Sequence, residues 1–246
     1  MPRTIPLRPA LDDLRGHLPA ALEGLDPEGV HQLRVAARRI AVWLELAERR
    51  TLAGDLHWLR KVAGEVRDLD VLMMQPLPER LGSELAARRD GARRELVDEL
   101  ESTRLTGLLA ALENLSALSA RSAADGVARL VDVVRRRGEQ VDRERKSSRA
   151  QRRRLHALRR ALRRLRYARE WLGENDPALK RLQTALGELN DLEQLRRRLG
   201  LLDDRQQLDD FARELAARID DAHVDALAAW HECRGELVGK TAGRSR

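Results

Sequence analysis

Apolar residues recur at intervals of three and four along almost the whole of this chain, the spacing that gathers them on one side of a helix. Between Val30 and Ala47, Leu33, Ala36, Ala37, Ile40, Leu44 and Ala47 fall on one face. His31, Arg34 and Arg38 share another, with Val35, Ala41 and Val42 beside them. A later segment repeats the pattern with more charge. His156, Arg159, Arg163 and Arg166 form its polar stripe, Arg149 and Arg152 extend it upstream, and Leu158, Leu162, Leu165 and Leu172 lie opposite. The alternation of a half-buried strand is nowhere convincing, so the pattern predicts helices nearly throughout.

Prolines, glycines and caps divide that pattern into elements. A leader marked by Pro2, Pro6 and Pro9 precedes a helix from about Ala10 to Leu25. Asp26-Pro27-Glu28 opens the next, to about Arg50, because proline suits the first helical turn. A helix from Thr51 to about Met74 ends before Pro76 and Pro78, and two more span Glu79 to about Glu101 and Thr103 to Leu115. Ser116 to Ala124 reads as a joint. Beyond it we expect helices from Asp125 to about Arg145, through His156 to Leu172 after a break near Ser147-Ser148, from Pro177 to Leu199, and from Asp203 to about Leu237. Gly173 and Asn175 close the second of these.

The two stripes are copies. Aligned on His31 and His156, the residues Leu33/Leu158, Arg34/Arg159, Ala36/Ala161, Arg38/Arg163, Arg39/Arg164 and Glu45/Glu170 are identical. Downstream, LRKVAGEVRDLDVL from Leu59 and LQTALGELNDLEQL from Leu182 share Gly64/Gly187, Glu65/Glu188, Asp68/Asp191 and Leu69/Leu192. Two motifs repeated in the same order indicate an internal duplication. The expected fold is all-α: two duplicated helical bundles related by a pseudo-twofold axis in one compact domain. The repeats cover about 10–116 and about 124–237, and 238–246 form a flexible basic tail.

Composition supports helices and adds a partner. The chain has 246 residues, 42% hydrophobic but 2% aromatic, and 35% charged. Length suffices for a substantial core. The net charge of +7 favours anionic partners. Lysine occupies only Lys61, Lys146, Lys180 and Lys240, so the rest of the 47 basic residues are arginine. Its planar fork grips phosphate oxygens in pairs, where lysine offers a point charge. From His156 to Arg166 the cationic face runs roughly 15 Å at helical rise. That length fits an extended chain of phosphates better than a single one. One cysteine, Cys233, excludes an internal disulfide framework. The lack of a signal-peptide core or a bilayer-length apolar run predicts a soluble cytoplasmic protein with no membrane partner.

HQLRVAARR at His31, LHWLRKVAGEVRDLDVL at Leu56, LHALRRALRRLRYAREWL at Leu155 and LQTALGELNDL at Leu182 together resemble the CHAD family, the conserved histidine α-helical domain. The resemblance spans nearly the whole chain. It implies a compact helical domain of two related bundles whose basic face or pore binds inorganic polyphosphate, and some family members associate with polyphosphate granules. Two positions depart from a symmetric pattern: Ala41 faces Arg166, and Asn190 faces Arg67.

The polyphosphate-binding residues expected on this reading are His31, Arg34, Arg38 and Arg39, with His156, Arg159, Arg163, Arg164, Arg166 and Tyr167. Arg39 and Arg164 lie at the flank of the stripe, and Tyr167 shares the face as a hydroxyl donor. Glu65, Asp68, Glu188 and Asp191 are expected to brace arginines. Metal binding is disfavoured, because cations surround both histidines, and no cofactor is expected. The chemistry reads as binding without catalysis. VGKTAG near the end lacks phosphate-loop spacing and a preceding strand. The alternative is a non-specific nucleic-acid-binding helical protein, since basic helices suit phosphate backbones generally. Only six aromatic residues argue against a stacking platform for single strands. A polyphosphate-processing enzyme or phosphohistidine carrier is a more distant alternative, without residues to activate a leaving group.

Overall fold

The computed structural model describes residues 3–144, 149–200 and 208–242, with the side chains of 236–242 excepted. Two-residue strands apart, every regular element among them is helical. The chain divides into two compact units, Met1–Ala124 and Asp125–Arg246. Each contains a pair of contacting helices built from the duplicated motifs, with further helices packed on it.

In the first unit, β1 (Thr4–Ile5) leads into α1 (Arg8–Gly16), α2 (Leu18–Glu23), α3 (Pro27–Leu46), α4 (Ala53–Met73), α5 (Glu79–Leu100) and α6 (Thr103–Glu113). The single helix expected up to Leu25 is thus two. Pro19 has no N–H to donate and its ring would crowd the carbonyl four residues back, so the chain turns at His17 and restarts with the proline in the first turn. Asp26 caps α3 as its sequence implied, accepting the N–H of Glu28 at 2.8 Å, with Pro27 at the first helical position. Helix α3 is the hub of the unit and packs on α1, α2 and α4. Its apolar surface is wider than one stripe. Val42, expected beside the polar face, is buried together with Trp43 and Leu46. The Trp43 indole N–H donates to the carbonyl of Ile5 at 3.2 Å, which fastens the leader to the core.

The joint predicted at 116–124 has more order than its composition suggests. Leu118 and Ser119 form β2 (Leu118–Ser119), antiparallel to Ile5 and Thr4. Ser119 then accepts the N–H of Ser122 at 3.0 Å in the manner of a cap, and α7 (Ala120–Asp142) starts five residues earlier than expected.

The second unit contains the rest of α7, then α8 (Arg149–Trp171), α9 (Pro177–Leu199) and α10 (Asp209–Ala242). The expected break at Ser147-Ser148 and the start near Asp203 lie outside the described residues. Helix α10 continues to Ala242, past the end expected near Leu237, and residues 243–246 of the predicted basic tail are outside the described residues. Helix α9 packs on α8 and α10. Asp176 is the pivot between α8 and α9. One carboxylate oxygen accepts the N–H groups of Ala178 and Leu179, and the other takes the Arg169 guanidinium at 2.5 Å. Both members of this ion pair are buried, so each satisfies a charge that would be costly alone. Across the unit, His223 of α10 meets the Gln151 amide of α8 at 3.1 Å, and Trp230 donates to Asp142 of α7 at 3.0 Å.

Candidate anion-binding site

In the first unit the duplicated residues meet across α3 and α4. Arg34 leaves α3 and lies over Gly64 of α4, donating through Nη1 to the Gly64 carbonyl at 3.1 Å and to Asp68 Oδ1 at 2.6 Å. A methyl group on Gly64 would already touch the Arg34 guanidinium at 3.4 Å. In the second unit Arg159 of α8 likewise lies over the equivalent Gly187 of α9, where a methyl group would meet its guanidinium at 3.9 Å. At both positions a methyl group would make only ordinary van der Waals contact with the arginine that crosses from the other helix. Asp68 also acts as a brace that aims the guanidinium, a strong, charge-assisted bond.

His31 is half-buried beside these groups. Burial chiefly holds its pKa below the ordinary 6.5, with Arg67, Arg38 and Arg34 acting the same way and Glu28 opposing. His156 is shifted further, down to about 4, by burial first and then by Arg160, Arg159, Arg197 and Arg163. Each histidine therefore stays neutral within a cationic neighbourhood. Arg67, Arg160 and Arg197 belong to these neighbourhoods but were not among the residues expected from sequence.

The second unit also contains a cleft of about 740 Å³ between α8 and α9. Arg149, Arg152, Arg153, His156 and Arg160 line it from α8, and Glu193, Arg196 and Arg197 from α9. Glu193 lies 3.5 Å from Arg152 and 3.9 Å from Arg196. Of the residues expected on the second stripe, His156 and the upstream Arg149 and Arg152 line this cleft, while Arg159 and Arg163 act on the histidine through their charge. The signal for Arg153 and Arg160 was present in the sequence, since both fall within about 60° of His156 on a helical wheel. Arg196 and Arg197 come from another helix, and their register gives no such sign.

The other expected residues are placed as follows. Arg38 is half-buried, Arg164 is exposed, and Arg39 lies 4.0 Å from Asp13 of α1. Arg166 sits 3.5 Å from Glu170 and stacks over the ring of Tyr167 at 4.7 Å. Tyr167 itself is 3% exposed, so its ring is core and a support for Arg166, where the sequence pointed to a donor on the surface. Its helical angle is that of the stripe, but packing covers it.

Among the described residues, no group of three or more histidine, cysteine or carboxylate side chains is arranged to hold a metal ion. No helix among them is long and apolar enough to cross a membrane.

The CHAD domain family matches residues 6–200, and the chain belongs to that family. Its fold is similar to the crystal structure of the CHAD domain from the plant Ricinus communis, at 25% identity and a TM-score of 0.69, over 92% of this chain and 89% of that one. It is also similar to PptA from Streptomyces chartreusis, at 17% identity and a TM-score of 0.72, over 92% of this chain and 96% of that one. No curated protein is matched by the sequence. CHAD domains are associated with polyphosphate and are generally binding or regulatory modules.

Proposed function

We propose that this protein binds inorganic polyphosphate, without transforming it, through the basic His/Arg faces of its two repeats. The first supplies His31, Arg34, Arg38 and Arg39. The second supplies His156, Arg159, Arg163, Arg164 and Arg166, the last carried on Tyr167. On this reading the repeats, about 10–116 and about 124–237, are halves of a single binding domain that works in the cytoplasm and attaches to or organises polyphosphate granules. The observation that carries the proposal is the gathering of arginines from two helices around each duplicated histidine. Like charges held together cost stability in the empty protein and become favourable once an anion lies between them. Apolar residues behind the faces, Leu33 and Ile40 in one and Leu158 and Leu165 in the other, are fully buried. They fix the helices before binding and so reduce the ordering cost.

The test is calorimetric titration at physiological salt with long-chain polyphosphate, orthophosphate, pyrophosphate and duplex DNA at equal phosphate concentration. Long-chain polyphosphate should bind tightest. An Arg159→Ala, Arg163→Ala variant with parental helix content should lose about tenfold or more, as two charged hydrogen bonds are removed. Equal affinity for duplex DNA would transfer the assignment to a nucleic-acid binder.

A further inference from the structure

Three of the four large apolar side chains exposed among the described residues gather at one end of the first unit. They are Leu25, 90% exposed, and Met73 and Met74, 40% and 64% exposed. Leu25 lies in the turn before α3, Met73 ends α4 and Met74 caps it. The connection 47–52 brings α4 back along α3, where Arg34 bonds to Gly64 and Asp68. At helical rise Pro27 is about 10 Å from Arg34, and Met74 about 9 Å past Asp68, so the two ends are level. Arg93 of α5 joins them. Its guanidinium donates to the carbonyls of Ala21 and Leu22, fills the space beside Gly24 and interacts with Asp70. Asp70 precedes the methionines by three and four residues and shares their side of α4.

This end is the first unit's counterpart of the α8–α9 cleft, and its chemistry is different. Aligned on the shared motifs, Met73 and Met74 stand where that cleft has Arg196 and Arg197, and Pro27 and Glu28 where it has Arg152 and Arg153. Apolar and acidic side chains thus replace arginines. From Leu18 to Val30 the chain carries Glu23, Asp26 and Glu28 but no lysine or arginine, and all three carboxylates are exposed. The guanidinium groups nearby are engaged, Arg93 with the α2 carbonyls and Arg89 with Asp70 at 2.9 Å. Asp70 keeps a second buried oxygen, Oδ2, without a hydrogen-bond partner. Exposed apolar side chains beside carboxylates suit a partner that is both apolar and cationic. Methionine's unbranched side chain adapts to the shape of such a partner. Two copies of this face would set carboxylate against carboxylate, which disfavours self-association through it.

We propose that this end of the first unit docks a basic amphipathic helix of another protein. The apolar side of that helix rests on Leu25, Met73 and Met74, and its lysines or arginines point to Glu23, Asp26 and Glu28. The proposal does not rest on the polyphosphate reading.

The test uses the full chain with methyl-labelled methionine. The probe is a synthetic helix of about 15 residues, with leucine on one face and lysine on the other. The Met73 and Met74 methyl signals, assigned through Met73→Leu and Met74→Leu, should shift saturably. A Leu25→Ser, Met74→Ser variant should bind the peptide about tenfold or more weakly by fluorescence anisotropy. Glu23→Gln with Glu28→Gln should weaken it several-fold. Val224→Ser, which removes the fourth exposed apolar side chain, should bind as the parent does. The same peptide with glutamate for lysine is drawn to the arginine faces and should leave both methyl signals in place. The proposal is overturned if the lysine peptide shifts neither signal, if the Leu25/Met74 variant binds as the parent does, or if Val224→Ser loses as much. A concentration-dependent dimer of the parent that the Leu25/Met74 variant abolishes would assign the face to a second copy and overturn it too. Polyphosphate affinity should be parental in the Leu25/Met74 variant, so the two readings fail separately. A parallel loss there would make the face part of the anion site and overturn the docking proposal.

Discussion

His156 is surrounded by Arg159, Arg160 and Arg163 of its own helix and by Arg197 of α9, with Glu193 as the carboxylate of the cleft. With its pKa at about 4, the imidazole is neutral near pH 7 in the free protein. Phosphate beside the ring favours the charged form and raises that pKa. Binding should then take up protons and tighten as pH falls from the ordinary histidine value of 6.5 towards about 4. Folding responds in the opposite sense. The unfolded chain protonates this histidine near 6.5 and the folded chain near 4, so between those values the unfolded state holds more protons. Stability is therefore lost as pH falls through that window. His31 adds in the same direction, through burial, Arg67, Arg38 and Arg34, with Glu28 opposing. Thermal melts across this range should show a smaller acid loss of Tm in a His31→Asn, His156→Asn variant than in the parent. The same variant should show less proton uptake when polyphosphate titrations are repeated in buffers of different ionisation enthalpy. A parental affinity that does not change with pH would mean that the histidines only pack.

At the scale of elements, the helices are held by a few polar locks set into a leucine- and alanine-rich core. Trp230 is the most demanding of them. Its ring occupies the space that a side chain on Gly138 would need, and its N–H reaches Asp142 one turn further along α7. Arg234 donates to the same carboxylate at 3.0 Å. Gly138→Ala should therefore destabilise the protein by about 1–3 kcal/mol, the usual cost of overpacking. Gly107 in α6 gives the contrast. A methyl group there meets open space, and alanine should stabilise the helix by about 0.5–1 kcal/mol. Urea unfolding of both variants checks the opposite signs. Two effects of the same sign would show that the Trp230 contact does not fix α10 on α7. Such locks explain what was and was not legible before the structure. The Asp-Pro helix starts at 26–27 and 176–177 and the closing Gly173 are local signals, and local signals can be read from sequence. The break at Pro19 was readable too, but the apolar periodicity around Leu14 and Ala21 hid it. The Leu118–Ile5 pairing joins residues over a hundred positions apart, and no periodicity records that.

The whole molecule was legible in class because a period of 3.6 and a duplication both survive in one sequence, and both belong to the fold that the family match defines. The candidate site was legible only along each helix. His31 with Arg34 and Arg38, and His156 with Arg159 and Arg163, share faces that a helical wheel displays. Arg67 beside His31, and Arg196 and Arg197 beside His156, arrive by packing of a second helix. Tyr167 shows the converse error, a correct angle on a face that packing buries. What these charges do together is a property of the whole chain, with its net +7. If arginines bind polyphosphate by displacing its condensed counterions, the logarithm of the binding constant should fall linearly with the logarithm of salt concentration. Each phosphate-contacting arginine removed should lower the steepness of that line by roughly one. Arg34→Ala with Arg38→Ala, and Arg159→Ala with Arg163→Ala, should therefore each flatten it by roughly two. Arg136→Ala with Arg137→Ala changes the net charge equally and should leave the slope unchanged, because it shifts the overall field without removing a contact. Titrations from low to physiological salt measure these slopes directly. If all three variants flatten the line alike, net charge governs binding and the arginine faces have no special part in it.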